Sequence, residues 1–598
     1  MTISPKTKAI LVKALIVLFI FSSVLITANY IAGKIVQKAA IAVSNKISEK
    51  TDTETAINGP GYSIIPLKFT AQGLVVKKNS RDLVILKDCS VNNPLNLLTG
   101  KSRNIQVRCG TLSFEQSEVL KIIKEKAGAT ETRKSSGRSG SSVFDDFSID
   151  MTIEKTAVKF MGSQESFWTN LKTKGHDGVL RIKGIEGMNS EGFLEVVFSI
   201  PEKKADIRFD NVSLKMFDKL FVKELRPVDY SGIVDGEVTV KKEGTEVSVS
   251  TDLTLLDIMV EHPLIDNIPY KLPFLRLESN AKFDITAKSV HIDESKFSIG
   301  GIEGFFEGSY GPEGKSLKLD IKNASLNKLE TLVKGAVFKG FNLAGYIDFT
   351  MDYAQYKDEE PVFSVTGDVV DAKQISDRLD YLISTFQYSF VNDNGEVHKF
   401  TIGPSNDDYV PIAYLPEHVY WAVVISEDAG FFMHPGIDFN ELGPAVLDNI
   451  KNKRLRGGST ITQQLAKNLF LNRNKTLIRK FQEMLLAVEL DATFSKNRLL
   501  EIYMNIIEWA PGIFGISQAA YYYFGKTAYE LTPLEAAYLA SVIPGPYKYH
   551  YQFLTGNVNE KWVGNLHRIL NIMQENGHIT FEQYIDALGE VITFREKK

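Results

Sequence analysis

Three polar clusters in the last third of this chain have the residue types and spacing to do chemistry. The first is Ser426-Glu427-Asp428-Ala429-Gly430-Phe431-Phe432-Met433-His434-Pro435-Gly436, adjacent carboxylates beside two phenylalanines. Burial against aromatic rings disfavours a charged carboxylate and raises its pKa, which suits a general base working near neutrality. The second is Gly457-Gly458-Ser459-Thr460-Ile461-Thr462-Gln463-Gln464-Leu465-Ala466-Lys467-Asn468. Its glycines let backbone approach a ligand closely. Thr460 and Gln463 fit a capping box, so a helix start with free amides, backed by Lys467, would face an anion such as a pyrophosphate. Arg454 and Arg456 just upstream enlarge the positive field. In the third cluster, Arg479-Lys480-Phe481-Gln482-Glu483, Arg479 and Glu483 share a helix face. Taken singly, each has a bland reading: a helix end, a glycine turn that binds nothing, a surface ion pair.

The elements that must position these clusters are helical. From Pro416 onward apolar residues recur at three and four, as in Leu465 and Leu469 or Met484, Leu485 and Val488, and Thr532-Pro533-Leu534-Glu535 marks a helix start with a capping box and proline at its first position. Before Asp371 the period is two: Val247, Val249, Thr251, Leu253 and Leu255 in one run, Leu317, Leu319 and Ile321 in another. That alternation reads as strands. GIVDGEVTV from Gly232 is echoed by GYIDFTMDY from Gly345, which suggests repeated β-units. The segment 128–142, GATETRKSSGRSGSS, has the composition of a loop.

At the N-terminus an uncharged apolar run from Ala14 to Ala32, preceded by Lys6, Lys8 and Lys13, has about the length that spans a bilayer. It reads as a signal anchor; a cleaved signal peptide is the rival. The expected division is therefore a cytoplasmic 1–13, a transmembrane 14–32, a helical connector 33–57, a β-rich region 58–370, a connector 371–407 and an α-domain 408–598. The fold class is multidomain α+β. A chain of 598 residues requires more than one core. A formal charge of −4 offers no concentrated basic surface for nucleic acid, so none is expected as a partner. Cys89 and Cys109, the two cysteines, lack zinc-ligand spacing and could form a disulfide outside the cytoplasm.

Together the clusters resemble, in order and spacing, the motifs of the biosynthetic peptidoglycan glycosyltransferases. Glu-Asp-x-x-Phe-x-x-His-x-Gly matches Glu427 to Gly436, the second cluster matches without a mismatch, and Arg-Lys-x-x-Glu is Arg479 to Glu483. Lys496 through Asn505 is similar to the fourth motif, and Gly515 through Lys526 to the fifth; the stretch 505–515 looks most like the monofunctional branch. Met504 and Lys475 stand where the family usually has leucine and arginine.

The resemblance implies a mainly α, lysozyme-like domain. It would transfer a growing glycan from its polyprenyl pyrophosphate to the 4-hydroxyl of an incoming lipid II, outside the bacterial inner membrane. Glu427 is the implied base and Glu483 the second catalytic carboxylate, orienting cations on the donor side. The implied substrate-binding set takes Asp428, Phe432 and His434 from the first motif and Gly458, Ser459, Thr460, Gln463, Gln464, Lys467 and Asn468 from the second. Arg479 and Lys480 come from the third, Glu501 and Asn505 from the fourth. No residue is assigned as a metal ligand; a magnesium or manganese ion is the cofactor the resemblance admits, and no organic cofactor is expected. No transpeptidase is expected, because the ordered Ser-x-x-Lys, Ser-x-Asn, Lys-Thr-Gly set is absent.

The β-rich region resembles AsmA-like periplasmic proteins in texture, which implies a sheet with an apolar face able to hold lipid chains. The implied partners are lipid II, the glycan strand, the inner membrane and other envelope proteins. The alternative function is a lipid-handling or scaffold protein whose glycosyltransferase domain is degenerate; the intact carboxylates argue for the enzyme.

Overall fold

The computed structural model describes the chain almost continuously from 229 to 596, with breaks at 264, 334–335, 392–396, 453–457 and 473. It also describes the strand elements between 54 and 214 and scattered positions between 37 and 48. The expected membrane span, the 128–142 loop, Cys109, Arg454, Arg456 and Gly457 lie outside the described residues. Among those described, no helix is long and apolar enough to cross a membrane. The Cys89 thiol is not free.

The chain forms two compact units, Met1–Phe221 with Gly232–Leu255, and Val222–Ser231 with Leu256–Lys598. The first is built of strands β1 (Glu54–Ile64), β2 (Leu67–Lys78), β3 (Arg81–Asn92), β4 (Gln106–Arg108), β5 (Thr111–Phe114), β6 (Thr152–Phe160), β7 (Ser166–Lys174), β8 (Asp177–Lys183), β9 (Phe193–Ser199) and β10 (Lys204–Ser213), with most of β11 (Asp229–Glu243) and part of β12 (Glu246–Glu261). Branched and aliphatic residues face each other across it, Leu74 opposite Leu86 and Val76 opposite Val84, the pairs that stabilise antiparallel ladders. β5 and β6 are parallel.

The second unit opens with an antiparallel meander: β13 (Tyr270–Asp284), β14 (Ser289–Ile299), β15 (Ile302–Gly311), β16 (Gly314–Ser325), β17 (Leu343–Tyr356) and β18 (Val362–Gln374), with helix α1 (Leu326–Val333) between β16 and β17. The echoed sequences do the same job in the two units. Asp235 accepts the Asn211 N–H at 2.6 Å, beside a bulge between Phe209 and Val212; Asp348 accepts the Asn323 N–H at 2.7 Å, beside a bulge between Ile321 and Ala324.

Period-two alternation puts one apolar face on the meander. Phe306, Leu319, Met351 and Val365 form one row across β15–β18, and Gly304, Ile321, Phe349 and Gly367 the next. Helix α2 (Glu417–Glu427) is followed by α3 (Phe439–Asn452), α4 (Ile461–Phe470), α5 (Leu477–Thr493) and α6 (Lys496–Ile506). Helices α3 and α5 cover this face at β18. Glycines make the approach close: a Cβ on Gly367 would stand 2.7 Å from the Phe439 ring, and one on Gly443 3.0 Å from the Phe363 carbonyl oxygen. Away from the helices the face stays partly open, with Leu317 42% and Phe283 40% exposed.

One buried core therefore runs from Leu326, Phe338, Leu343 and Val365 through the helices to Ala587. The fold is mixed α+β, a large antiparallel sheet followed by a helical C-terminal domain. Thr532 caps its helix reciprocally with Glu535, as the sequence predicts.

Candidate active site

Helix α2 ends at Glu427, and Asp428 leaves the helical conformation with its N–H on the Val424 carbonyl. The adjacent carboxylates consequently part ways. Asp428 turns to structure: it bonds Nε2 of His434 at 2.9 Å and accepts the Ile461 N–H, the first amide of α4, at 2.9 Å. Glu427 stays in the cleft. Its Oε2 accepts from the Gln464 side-chain amide at 2.8 Å, while Oε1 is buried without a partner. Burial pushes its pKa up to about 7; the Gln464 bond and the Lys467 charge oppose that rise, and Asp428 adds to it. A carboxylate poised there takes a proton and gives it up within the neutral range.

The start of α4 carries the expected capping box. Thr460 Oγ1 accepts the Gln463 N–H at 3.1 Å and donates to the Gly436 carbonyl at 2.6 Å, and the Gln463 side chain accepts the Thr460 N–H. The amides of Ile461 and Gln463, expected to face an anion, are thus spent on Asp428 and Thr460. Positive charge comes from side chains instead. Burial lowers the Lys467 pKa, and Glu483 and Glu427 offset this by raising it. On α5, Arg479 Nη1 donates to Glu483 Oε2 at 2.7 Å, and Lys480 Nζ reaches Glu483 Oε1, Ser459 Oγ at 2.7 Å and Gln463 Oε1 at 3.2 Å. Thr476 caps α5 on the Arg479 N–H and so fixes the turn that holds these cations. Arg479 Nε and Gln463 Nε2 are buried donors without partners.

Gly458 packs against Ala445, where a Cβ would stand at 3.0 Å, and Asn468 is half-buried on α4 beside Lys467. Phe431 is fully buried, and Phe432 packs on Trp421 with ring centroids 5.0 Å apart, so this pair is core; Met433 beside it is 89% exposed. Glu501 and Asn505 belong to another network. Glu501 accepts from the Tyr409 hydroxyl, the Ile412 N–H and Arg498, and Asn505 exchanges two 2.9 Å bonds with the Val410 backbone. They pin the segment entering α2, and no described contact joins either to Glu427 or Glu483. Sequence reasoning passed over Tyr503, whose hydroxyl donates to Gln464 Oε1 at 3.1 Å; the signal was its place two residues past Glu501 in the fourth motif.

A divalent ion needs vacant oxygens. Donor atoms of Asp428, His434 and Asp438 lie within 4.8 Å of one another, but Asp428 is spent on His434 and Ile461. Both Glu483 oxygens already face cations. The described residues do not fit a magnesium or manganese ion there, and no step below runs through a metal.

The family model for Transglycosylase matches residues 393–574. Penicillin-binding protein 1A of Aquifex aeolicus is 42% identical over 198 residues, 33% of this chain and 27% of that protein. A biosynthetic peptidoglycan transglycosylase of Shewanella amazonensis is 40% identical over 166 residues, 27% of this chain and 68% of that protein. The chain spans well under two thirds of the first of these relatives. The solved penicillin-binding protein 1A of Haemophilus influenzae aligns with 36% of this chain and 22% of its own, at 18% identity and a TM-score of 0.19, a likeness that carries no weight. Glu427, its amide partner Gln464 and the caged Glu483 all fall inside the matched segment, and through that segment the chain belongs to the transglycosylase family.

Proposed function

We propose that this protein is a peptidoglycan glycosyltransferase that polymerises lipid II into glycan strands and releases polyprenyl pyrophosphate. The observation that carries the reading is Glu427: one oxygen held by Gln464, the other buried and unfilled, in a carboxyl whose pKa is pushed to about 7. Glu427 takes the proton from the 4-hydroxyl of the acceptor as that oxygen attacks the anomeric carbon of the growing strand. The bond from that carbon to the pyrophosphate breaks, its electron pair leaving with the phosphate. Lys467, Arg479 and Lys480 balance the charge that develops, and the unfilled donors Arg479 Nε and Gln463 Nε2 match pyrophosphate oxygens. Glu483 holds Arg479 and Lys480 in place without touching substrate. A single displacement inverts an α-linked donor into a β-linked product.

The substrate's location puts the helical domain at the periplasmic face of the inner membrane, with 14–32 as a single-pass anchor. The partly open apolar face at Phe283 and Leu317 supports a lipid-contacting role for the β-rich region. Incubating the detergent-purified full chain with labelled lipid II tests the reading: polymer that lysozyme digests, formed together with polyprenyl pyrophosphate, supports it, and unchanged lipid II overturns it.

A further inference from the structure

We infer that Tyr503 is a positioning residue of the transfer reaction: its buried hydroxyl fixes the Gln464 amide so that the NH2 group holds Glu427 Oε2 and Oε1 alone is presented to the acceptor hydroxyl. This rests on the function proposed above. Tyr503 is fully buried on α6, and its hydroxyl lies 3.1 Å from Gln464 Oε1; on the other side of the same amide, Nε2 lies 2.8 Å from Glu427 Oε2. An amide between two polar groups has two orientations, and its neighbours select one. Burial, with Glu427 and Asp428 nearby, raises the Tyr503 pKa well above its ordinary value, and among the described contacts Gln464 Oε1 is the acceptor within reach of the phenol proton, so the hydroxyl donates to it. A donor on that side demands the amide carbonyl, which leaves only the NH2 for Glu427.

The orientation matters because it favours the anion. A carboxylate that accepts from an amide N–H is stabilised in its charged form, whereas an amide carbonyl turned towards it accepts a hydrogen bond from the neutral acid and favours that state. Without the phenol hydroxyl, no other hydrogen bond among the described residues holds the Gln464 carbonyl against that turn. The other charged groups facing Glu427 are Asp428 just after α2 and Lys467 on α4, and Lys467 is itself coupled to Arg479, Lys480 and Glu483 on α5. None of these bonds Gln464, so the tyrosine acts on the base through the amide.

Tyr503→Phe keeps the ring that fills the core and removes only the hydroxyl. In full-length protein assayed on lipid II from pH 5.5 to 9, the acid limb of kcat should move up by about one pH unit, with kcat at pH 7 reduced about fivefold and KM little changed. Gln464→Ala should move the limb the same way, and adding Tyr503→Phe to it should move it no further, since the path is already cut. A limb that stays at the wild-type position in Tyr503→Phe, or moves equally in both backgrounds, overturns the inference. A merely structural tyrosine would lower activity at every pH alike; should Tyr503→Phe fold poorly, a wild-type limb in Gln464→Ala overturns the inference by itself. Glu427→Gln separates the two levels: if that variant polymerises, the base role given to Glu427 in the proposed function fails, whereas an inactive Glu427→Gln beside an unmoved Tyr503→Phe limb faults only the role of the tyrosine.

Discussion

Arg378, four residues past the end of the last meander strand, donates Nε at 2.6 Å to one carboxylate oxygen of Glu489 and Nη2 to the other, 111 residues along the chain. Glu489 lies in α5 with a fully buried side chain, six residues after Glu483. Gln374, the final residue of β18, adds a third bond at 3.1 Å. The helix that carries the donor-side cations is thus tied by a two-pronged ion pair to the strand region before it.

Removing one partner of such a pair leaves a buried charge uncompensated, at a cost of about 3–5 kcal/mol. Arg378→Ala should therefore lower the midpoint of thermal unfolding of the second unit substantially. A paired Arg378→Met, Glu489→Leu replacement should recover most of the loss. Calorimetry on the three proteins checks this, and an unchanged midpoint in Arg378→Ala would show that the pair bears no weight.

A chain joined from the N-terminal segment directly to Asp371 retains all five motifs yet loses Leu326, Phe338, Leu343 and Val365 from the shared core. At roughly 1.5–3 kcal/mol for each large buried side chain, their loss rivals the whole stability of a typical domain. Such a truncation should be insoluble or molten, whereas one beginning near Leu256 keeps the meander together with the helices packed on it. Solubility and near-ultraviolet circular dichroism of the two distinguish the outcomes; a soluble, active chain from Asp371 would mean that the meander is dispensable.

Glu483→Gln keeps the shape but leaves Arg479 and Lys480 without the anion between them. Turnover should fall by about 10- to 100-fold, with the fold retained. A near-normal rate would take Glu483 out of the reaction.

The raised pKa of Glu427 gives the acid limb its sign. Below about pH 7 the carboxyl is protonated and cannot accept the acceptor's proton, so activity should fall as pH drops through 7. An exposed glutamate would hold its activity to near its ordinary value of about 4.3. A profile flat from pH 8 to 5.5 would contradict the buried environment assigned to this base.

The parts of this architecture that local pattern controls were legible in the sequence. Thr460 and Gln463 cap α4 as their spacing predicts, and the alternation of Leu317, Leu319 and Ile321 places them on one sheet face. Even the echo between GIVDGEVTV and GYIDFTMDY has a cause, the aspartate that accepts a bulge amide. What stayed hidden was the choice of distant partners. Asp428, which the resemblance puts among the substrate-binding residues, is occupied by the Ile461 amide and His434. Glu489 sits among apolar neighbours on α5, and its partner lies far upstream. Nothing local announces that Phe439 will lie on Gly367, because the contact exists only once helix and strand have met.

The central claim, that Glu427 is the base, is tested most directly by comparing wild-type protein with Glu427→Gln on labelled lipid II at pH 8, with circular dichroism to confirm the fold. The amide matches the carboxylate in shape but cannot take a proton. It should also spare the folded state a buried negative charge, so the variant should melt no lower than wild type. The account expects a folded variant that forms no lysozyme-sensitive polymer; a folded variant that retains more than about a tenth of wild-type turnover would contradict it.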